Sequence, residues 1–344
     1  MCSVDNTVSI HHHYSAEASQ SSYGVESRVI HTKCDHLLDT IQLTDEKASK
    51  RAERKLLTQL QVQNLMQLDS PLYSAYERTS TCSGYLFLKK HSVTGETKLT
   101  SNYCGKRWCS VCSATKTAEM MHNYRQSLEA LPDLYFVTLT VVSVEASQLK
   151  DRIKEMNETF KQIRNLMHKR GISFNGFRKT ESNYSSDLNT FNPHYHLIVS
   201  GELQAQMLLD LWLERNPTSR ISAQDIQKAD SDSFMELFKY QFKAVVSAQF
   251  NPEAQDTIYR AFNGIRAFQP FGNVHKCPTN AEHSAELSEY GVEADTSLQG
   301  EWQTVDIFVW NPYYYNWLND KAQPFRNTTI RDKIHSMADT FSSV

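Results

Sequence analysis

The sequence contains no apolar run that approaches the ~18 residues needed to cross a membrane. Its first residues have neither a basic start nor an apolar core, so we expect no secretory signal and a cytoplasmic location. No GxxxxGKS/T pattern occurs, which argues against a fused helicase domain. The net charge is only −3, so the overall charge balance does not by itself indicate a nucleic-acid partner.

The length and composition predict a globular chain with more than one domain. Of the 344 residues, 40% are apolar and 22% are charged. We expect a disordered or weakly structured segment at 1–43, a helical and cysteine-containing region at 44–131, a mixed α+β domain at 132–275, and an acidic, then aromatic extension at 276–344. In that extension the run "PYYY", Tyr313 to Tyr315, is interpreted as packed aromatics.

Charge is distributed unevenly along the chain. From Cys82 to Arg170 there are 14 Lys and Arg against 8 Asp and Glu, whereas from Lys276 to Asp306 there are 1 against 7. The middle is therefore suited to face an anion, although such an excess is also typical of a solvated surface. A helix predicted over 44–66 has a basic face that could meet DNA or only water.

Four of the seven cysteines have metal-ligand spacing. "YCGKRWCSVCSATK" holds Cys104, Cys109 and Cys112, and Cys82 lies upstream in "STCSGYLFLKK". Two predicted strands, "GYLFLKKH" and "TKLTSNY", would form a hairpin that returns Cys82 to the other three. Four thiolates complete a tetrahedral Zn²⁺ site, and the alternative is a set of buried free thiols.

The central third of the chain alternates strands with helices. "LYFVTLTVVSV" has one apolar and one hydroxyl-bearing face, and a long helix with a stripe of apolar residues follows at 146–170. "ISFNGFRKTES" and "HYHLIVS" predict two adjacent strands, and "ELQAQMLLDLWLER" predicts a second helix. This order is the α+β, ferredoxin-like plan of an antiparallel sheet backed by helices.

Two histidines stand on one face of the third of these strands. Side chains alternate along a strand, so His194 and His196 in "NPHYHLIVS" point the same way, and two imidazoles suit one metal ion. In a chain with 13 histidines such a pair also arises by chance. Glu181, near the exit of the preceding strand, can face His194 across the hairpin.

A polar row is predicted on a helix from Ser233 to Ala248. Glu236, Tyr240 and Lys243 are spaced at four and three residues, so they share one helical face. The row combines a carboxylate, a phenol and an ammonium group. The alternative interpretation is a solvated face with a partly packed tyrosine.

In this order the motifs resemble those of one family, the rolling-circle replication initiators of small bacterial plasmids, in the zinc-binding branch of the HUH endonuclease superfamily. The resemblance rests on "FVTLTV", "NPHYHLIV", "ELFKY", the cysteine cluster and "YRAFNGIRAFQPFG", and it covers roughly residues 80–275. In mobilisation relaxases of the same superfamily the tyrosine precedes the histidines, whereas here Tyr240 follows them.

The resemblance implies metal-dependent nicking and joining of single-stranded DNA at an origin through a 5′-phosphotyrosine. His194 and His196 match the paired ligands of a catalytic Mg²⁺ or Mn²⁺, and "RKTES" places Glu181 as an added acidic ligand. Tyr240 matches the nucleophile and Glu236 the acidic residue before it. Lys243 or Lys239 would contact the phosphate or ease ionisation of the phenol. The four cysteines would bind structural Zn²⁺.

The implied partners are DNA, as an origin hairpin and a single-stranded nick site, together with a host helicase and polymerase, and a second copy in a homodimer. No membrane partner is expected. Three other functions stay open at this point. They are an HUH transposase with the same chemistry, a non-catalytic zinc-ribbon DNA-binding repressor, and a small-molecule metal hydrolase. The repressor explains the cysteines but leaves "HYH" and "ELFKY" as coincidences.

Overall fold

The computed structural model describes residues 45–238, 251–277 and 300–326. The helices in these ranges are α1 (Asp45–Leu65), α2 (Tyr73–Ser80), α3 (Ser110–Glu129), α4 (Leu149–Lys169), α5 (Glu202–Arg215), α6 (Ser231–Phe238) and α7 (Pro252–Ala261). The strands are β1 (Tyr85–His91), β2 (Thr97–Ser101), β3 (Leu134–Thr140), β4 (Gly176–Ser185), β5 (Thr190–Ser200), β6 (Asp225–Lys228), β7 (Phe268–Phe271), β8 (Trp302–Asn311) and β9 (Asn316–Leu318).

The larger sheet has the strand order β6-β3-β5-β4-β7, and every neighbouring pair is antiparallel. Along the chain its elements follow as β3, α4, β4, β5, α5 and β6, with β7 added at one edge. This is the βαββαβ connection of a ferredoxin-like domain. The predicted α+β fold class is therefore confirmed.

Alternation along β3 and β5 gives this sheet two different faces. Val137 and Leu139 of β3, with Tyr195 and Leu197 of β5, share one buried cluster with the apolar stripe of α4 and with α5. Since side chains alternate, His194 and His196 point to the opposite face. The packing of α4 and α5 thus fixes which side of the sheet carries the histidines.

The histidine-bearing face is partly covered by α3 and α6. Phe177 and Ile198 of the sheet lie in one cluster with Phe234, Leu237 and Phe238 of α6. Phe177 and Phe238 meet edge to face with ring centroids 5.2 Å apart. These contacts hold the end of α6 against the sheet beside the histidines.

The smaller sheet, in the order β2-β1-β8-β9, joins distant parts of the sequence. The hairpin β1–β2 forms as predicted, and β8 pairs with β1 so that Tyr85 lies opposite Val309. The sequence did not indicate this pairing between residues 85–91 and 302–311. The domain boundaries drawn from the sequence stay predictions.

Two details of the sequence interpretation need correction. In the run "PYYY" Tyr315 packs against the core of the smaller sheet as predicted, but Tyr313 and Tyr314 are 75% and 51% exposed because they lie in the turn between β8 and β9. Trp310 and Trp317 provide the buried aromatics there. The basic face of α1 does not simply meet DNA or water, since Arg51 is buried and the Nζ of buried Lys55 donates to the Ser80 carbonyl.

Among the described residues, none of the helices combines the length and the apolar character that a membrane crossing requires.

Candidate metal centres and active site

The β4–β5 hairpin brings three predicted ligands together on one face of the sheet. Glu181 lies opposite His194, and His196 lies opposite Thr138 on the next strand. The Oε2 of Glu181 is 3.3 Å from the Nε2 of His196 and 3.9 Å from the Nε2 of His194. The predicted grouping of Glu181, His194 and His196 is therefore present in the structure.

Hydrogen bonds orient both imidazoles. The Nδ1 of His194 lies 3.0 Å from the Asn192 carbonyl oxygen and donates to it, so in the neutral ring Nε2 is the nitrogen with a lone pair for a metal. The Nδ1 of His196 lies 3.2 Å from the Thr138 hydroxyl, and its ring stacks on Phe136 at 5.4 Å. Both Nε2 atoms therefore face the Glu181 carboxylate as metal ligands would.

The two oxygens of Glu181 have separate contacts. Oε1 is 3.0 Å from the Nζ of fully buried Lys179, and Oε2 faces the imidazoles. Burial raises the pKa of Glu181, and the charge of Glu236 adds to that rise, while Lys179 and His194 oppose it. A buried carboxylate so placed gains from a cation at Oε2, since the cation stabilises its charged form.

The arrangement fits one divalent ion. The three ligand atoms lie within 4.8 Å of one another. Ligands on one ion with bonds of about 2.1 Å can be at most about 4.2 Å apart, and both measured Glu–His separations satisfy this limit. Two imidazoles and one carboxylate suit Mn²⁺ as well as Mg²⁺ and leave further coordination positions open.

The short helix α6 brings Glu236 to the same site. The Nζ of Lys179 donates to the Glu236 carbonyl oxygen at 3.0 Å, so one buried ammonium joins Glu181 to the backbone of α6. The charge of Glu236 also acts on the pKa of Glu181, which places the two carboxylates within electrostatic range. Tyr240 and Lys243 lie outside the described residues.

Sequence reasoning missed the residues that support the ligands. Lys179 and Thr138 contact Glu181 and His196, and the Asn192 carbonyl orients His194. Lys179 stands two residues before Glu181 in "RKTES", and Thr138 stands on the hydroxyl face of "FVTLTV". Same-face spacing along each strand was the signal that could have identified both.

Tyr195, between the two histidines, has no access to a substrate at this site. Its side chain is fully buried on the other face of the sheet, where its hydroxyl donates to Asn157 at 2.9 Å. Burial raises its pKa well above the ordinary value. It is therefore a core residue and not a nucleophile.

The four clustered cysteines converge as their spacing predicts. The Sγ of Cys82 is 3.5 Å from those of Cys109 and Cys112, and the Sγ atoms of Cys104 and Cys112 are 3.6 Å apart. A tetrahedral zinc ion with Zn–S bonds of ~2.3 Å places its sulfurs about 3.8 Å apart. The sulfur cage thus has nearly the size that zinc requires.

The surroundings of this cage also suit a thiolate–metal centre. Backbone N–H groups point at the sulfurs: that of Cys104 at the Cys82 Sγ (3.4 Å) and that of Cys112 at the Cys109 Sγ (3.5 Å). Burial lowers the pKa of Lys55 of α1, and the neighbouring Cys82, Cys109 and Cys104 oppose that fall. Its positive charge would offset the excess negative charge of four thiolates around one Zn²⁺.

Hydrogen bonds among the thiols shift their pKa values in opposite directions. Bonds shared with the neighbouring thiols raise the pKa of Cys82 and Cys109 and lower that of Cys104. Four thiolates at this separation repel one another strongly in a buried site. A cation held between them would offset that repulsion.

Comparison with known proteins identifies relatives of the central part of the chain. Residues 97–202 match the family described as "Replication protein". A "Protein rep" from Bacillus sp is 27% identical over 139 residues, which cover 38% of this chain and 45% of the relative. A "Protein rep" from Bacillus amyloliquefaciens is 28% identical over 129 residues, 36% of this chain and 38% of the relative.

A "Protein rep" from Staphylococcus aureus is 25% identical over 177 residues, which cover 46% of this chain and 76% of the relative. The chain thus spans less than half the length of the two Bacillus relatives. No solved structure matches the chain at a significant level. The matched segment 97–202 contains Glu181, His194 and His196, together with three of the four clustered cysteines. The resemblance to replication proteins that the motifs indicated is therefore confirmed for the central part of the chain, which is similar to these proteins.

Proposed function

We propose that the chain nicks and rejoins one strand of DNA at a replication origin, and thereby initiates rolling-circle replication of a plasmid. The observation that carries this proposal is the convergence of Glu181, His194 and His196 inside a segment that matches replication proteins. The reaction would need a divalent ion and would pass through a 5′-phosphotyrosine on Tyr240.

Chain connectivity supports Tyr240 as the nucleophile. Phe238, the last described residue of α6, packs on Phe177 of the histidine-bearing face. Tyr240 follows Phe238 two residues later in the sequence. The Lys179 contact with the Glu236 carbonyl holds the preceding turn near Glu181.

In the proposed first step the Tyr240 oxygen attacks the scissile phosphorus and the bond from phosphorus to the 3′ oxygen breaks. The phenol proton is given up, and the leaving oxygen takes a proton to become a free 3′-OH that a polymerase can extend. The number of phosphate esters is unchanged, so the strand can be rejoined. A Mg²⁺ or Mn²⁺ ion held by Glu181, His194 and His196 would polarise the phosphate.

The remaining residues of the polar row have supporting roles in this proposal. The phenol of tyrosine has a pKa of about 10, so it is a weak nucleophile at neutral pH. A nearby cation such as Lys243 would favour its ionised form and therefore its attack. Glu236, within electrostatic range of Glu181, would accept a proton from the water that hydrolyses the phosphotyrosine and releases the protein. The cysteine cluster would bind Zn²⁺ as a structural ion.

The proposal is tested by incubating the protein with supercoiled DNA that carries its origin, in the presence of Mn²⁺. A denaturing gel should then show nicked DNA and a covalent protein–DNA adduct. Tyr240→Phe removes one oxygen and almost no volume, so it should bind the same DNA without nicking it. Mass spectrometry of the adduct would identify the modified residue.

A nucleotide attached to any residue other than Tyr240 would refute the assignment of the nucleophile. Glu236→Ala should still form the adduct but accumulate it, and normal turnover by this variant would remove the role given to the carboxylate. Dependence on an origin rather than on mobile-element ends separates the initiator from the transposase alternative. A repressor would bind DNA and leave it intact.

A further inference from the structure

A cavity of about 650 Å³ opens between the first half of α3 and strand β7. Its walls come from residues 103–107, 112–124 and 266–270, and we call it the β7 cavity. The volume falls in the range of sites that bind small ligands or parts of larger ones. Neither candidate metal centre accounts for it, because Glu181, His194 and His196 are not among its lining residues and Cys112 is the one clustered cysteine that reaches its wall.

Cationic side chains dominate the lining of the β7 cavity. Among the described residues, Lys106, Arg107, Lys116 and Arg266 line it, against one carboxylate, Glu119. Glu119 already pairs with Lys116 at 2.8 Å. Within the described ranges neither Arg107 nor Arg266 forms a salt bridge, and both side chains are exposed. The excess positive charge favours an anionic ligand.

Aromatic rings lie among these cations. Tyr103, Tyr124 and Phe268 line the cavity, and all three are partly exposed. Tyr124 meets the ring of Phe177 edge to face at 5.1 Å, so the core holds it in place. Rings interleaved with cations are the combination with which proteins hold unpaired nucleotides, whose bases stack while their phosphates bind the charges.

The β7 cavity adjoins the proposed nicking site through strand pairing. Phe268 lies opposite Lys179, the residue whose Nζ contacts Glu181. The backbone N–H of Thr180, next to Glu181, donates to the carbonyl of cavity-lining Ala267 at 2.8 Å. A strand bound at the metal site could therefore continue into the cavity.

We propose that the β7 cavity binds unpaired nucleotides of the DNA strand that flank the nicked phosphate. This inference rests on the proposed function for the identity of the strand, but its chemistry is independent of cleavage. The bases of a duplex are paired and stacked, so their faces are not free to lie against Tyr103 or Tyr124. The cavity should therefore prefer single strands, with little dependence on base sequence.

The test compares Arg107→Gln/Arg266→Gln with the wild-type protein in binding to a labelled thymidine oligonucleotide. Fluorescence anisotropy is measured at several salt concentrations without added divalent metal, so no strand is cut. Removal of two phosphate contacts should weaken binding about 10-fold and reduce the slope of log K against log salt by about 1.4. The matched control Lys50→Gln/Arg125→Gln removes two exposed cations outside the cavity and should leave both values unchanged.

Wild-type affinity and slope in the cavity variant would overturn the inference, even if the protein nicks DNA at Tyr240. An equal loss of affinity for a duplex of the same length would also overturn it, because the two arginines would then act as a general surface charge. A selective loss for the single strand supports the cavity even if nicking fails. If the double variant has a lower melting temperature than its control, Arg266→Gln alone decides, with half the change in slope.

Discussion

The two candidate metal centres of this chain differ in how completely they would enclose an ion. The cysteine cluster offers four ligands of one kind, and Cys109 among them is fully buried. The Glu181–His194–His196 site offers three ligands from two adjacent strands, and the side chains of Glu181 and His196 keep 14% and 16% of their exposure. One centre is closed and the other is open on one side.

This difference follows from where each centre draws its ligands. Cys82 and Cys104 flank the β1–β2 hairpin, and Cys109 and Cys112 begin α3, so loop ends would surround an ion bound there. All three ligands of the other site stand on the surface of a sheet, which can contact an ion only from one side. A closed tetrahedral site stabilises a fold, whereas open positions admit a substrate.

The largest predicted effect is on stability, when one ligand is removed from the closed cysteine site. Cys109→Ser should remove zinc and lower the free energy of unfolding by at least about 3 kcal/mol, because metal-binding free energy in such sites contributes directly to folding. Metal analysis should give about one zinc per wild-type chain, and thermal unfolding should report the loss of stability. Cys277→Ser, outside the cluster, is the matched control and should keep both values. A wild-type protein that contains no zinc and is fully stable would contradict the assignment of the cysteine cluster as a structural zinc site.

At the open site, the loss of a ligand should reduce nicking activity rather than stability. His196→Ala should reduce Mn²⁺-dependent nicking by roughly 10³-fold, because the ion supplies several kcal/mol of charge stabilisation to the reaction. Its melting temperature and zinc content should stay near those of the wild type. His168→Ala on the exposed face of α4 is the control. Nicking at the wild-type rate by His196→Ala would move the catalytic centre elsewhere.

Local patterns were sufficient to predict the ferredoxin-like domain. Alternation in "LYFVTLTVVSV" and "HYHLIVS" indicates which side of the sheet is buried. The apolar stripe at 146–170 predicts the helix that packs on that side. The pairing of β1 with β8 could not be predicted from local patterns. It joins positions more than 200 residues apart, for example Tyr85 and Val309, and no local periodicity encodes a distant partner.

The same limit applies to the sites. Ligands close in sequence or across one hairpin, such as Glu181 and His194, follow from spacing and register. The contacts of Lys179 with Glu181 and the Glu236 carbonyl depend on how α6 packs on the sheet, so they require the folded chain. Likewise the sequence of α1 shows a basic helix, and only tertiary packing turns Lys55 inward to the cysteine cluster.

A smaller effect is expected in the pH dependence of metal binding at the open site. Burial raises the pKa of Glu181, so protons compete with the metal at a higher pH than at an exposed glutamate. Mn²⁺ affinity, measured by calorimetry, should therefore fall as the pH is lowered, by up to about tenfold per pH unit below that pKa. Glu181→Gln should bind roughly 100-fold more weakly and lose this part of the pH dependence. Glu236→Gln removes a nearby negative charge but no ligand, so a loss as large as that of Glu181→Gln would argue against Glu181 as the direct ligand.

The smallest predicted effect concerns a hydroxyl that touches only a ligand. Thr138→Val keeps the shape of the side chain and removes the 3.2 Å contact with the Nδ1 of His196. Since partners that orient a metal-bound imidazole tune its affinity, Mn²⁺ binding and nicking should both fall about 10-fold, at the low end of such effects. Thr140→Val, two residues along the same strand, is the matched control because its hydroxyl contacts Ala223 and Gln224 rather than a histidine. Zinc content should not change in either variant. Equal losses in the two variants would mean that the strand, and not the His196 contact, responds to the lost hydroxyl, and the open site would then depend on its surroundings no more specifically than the closed one.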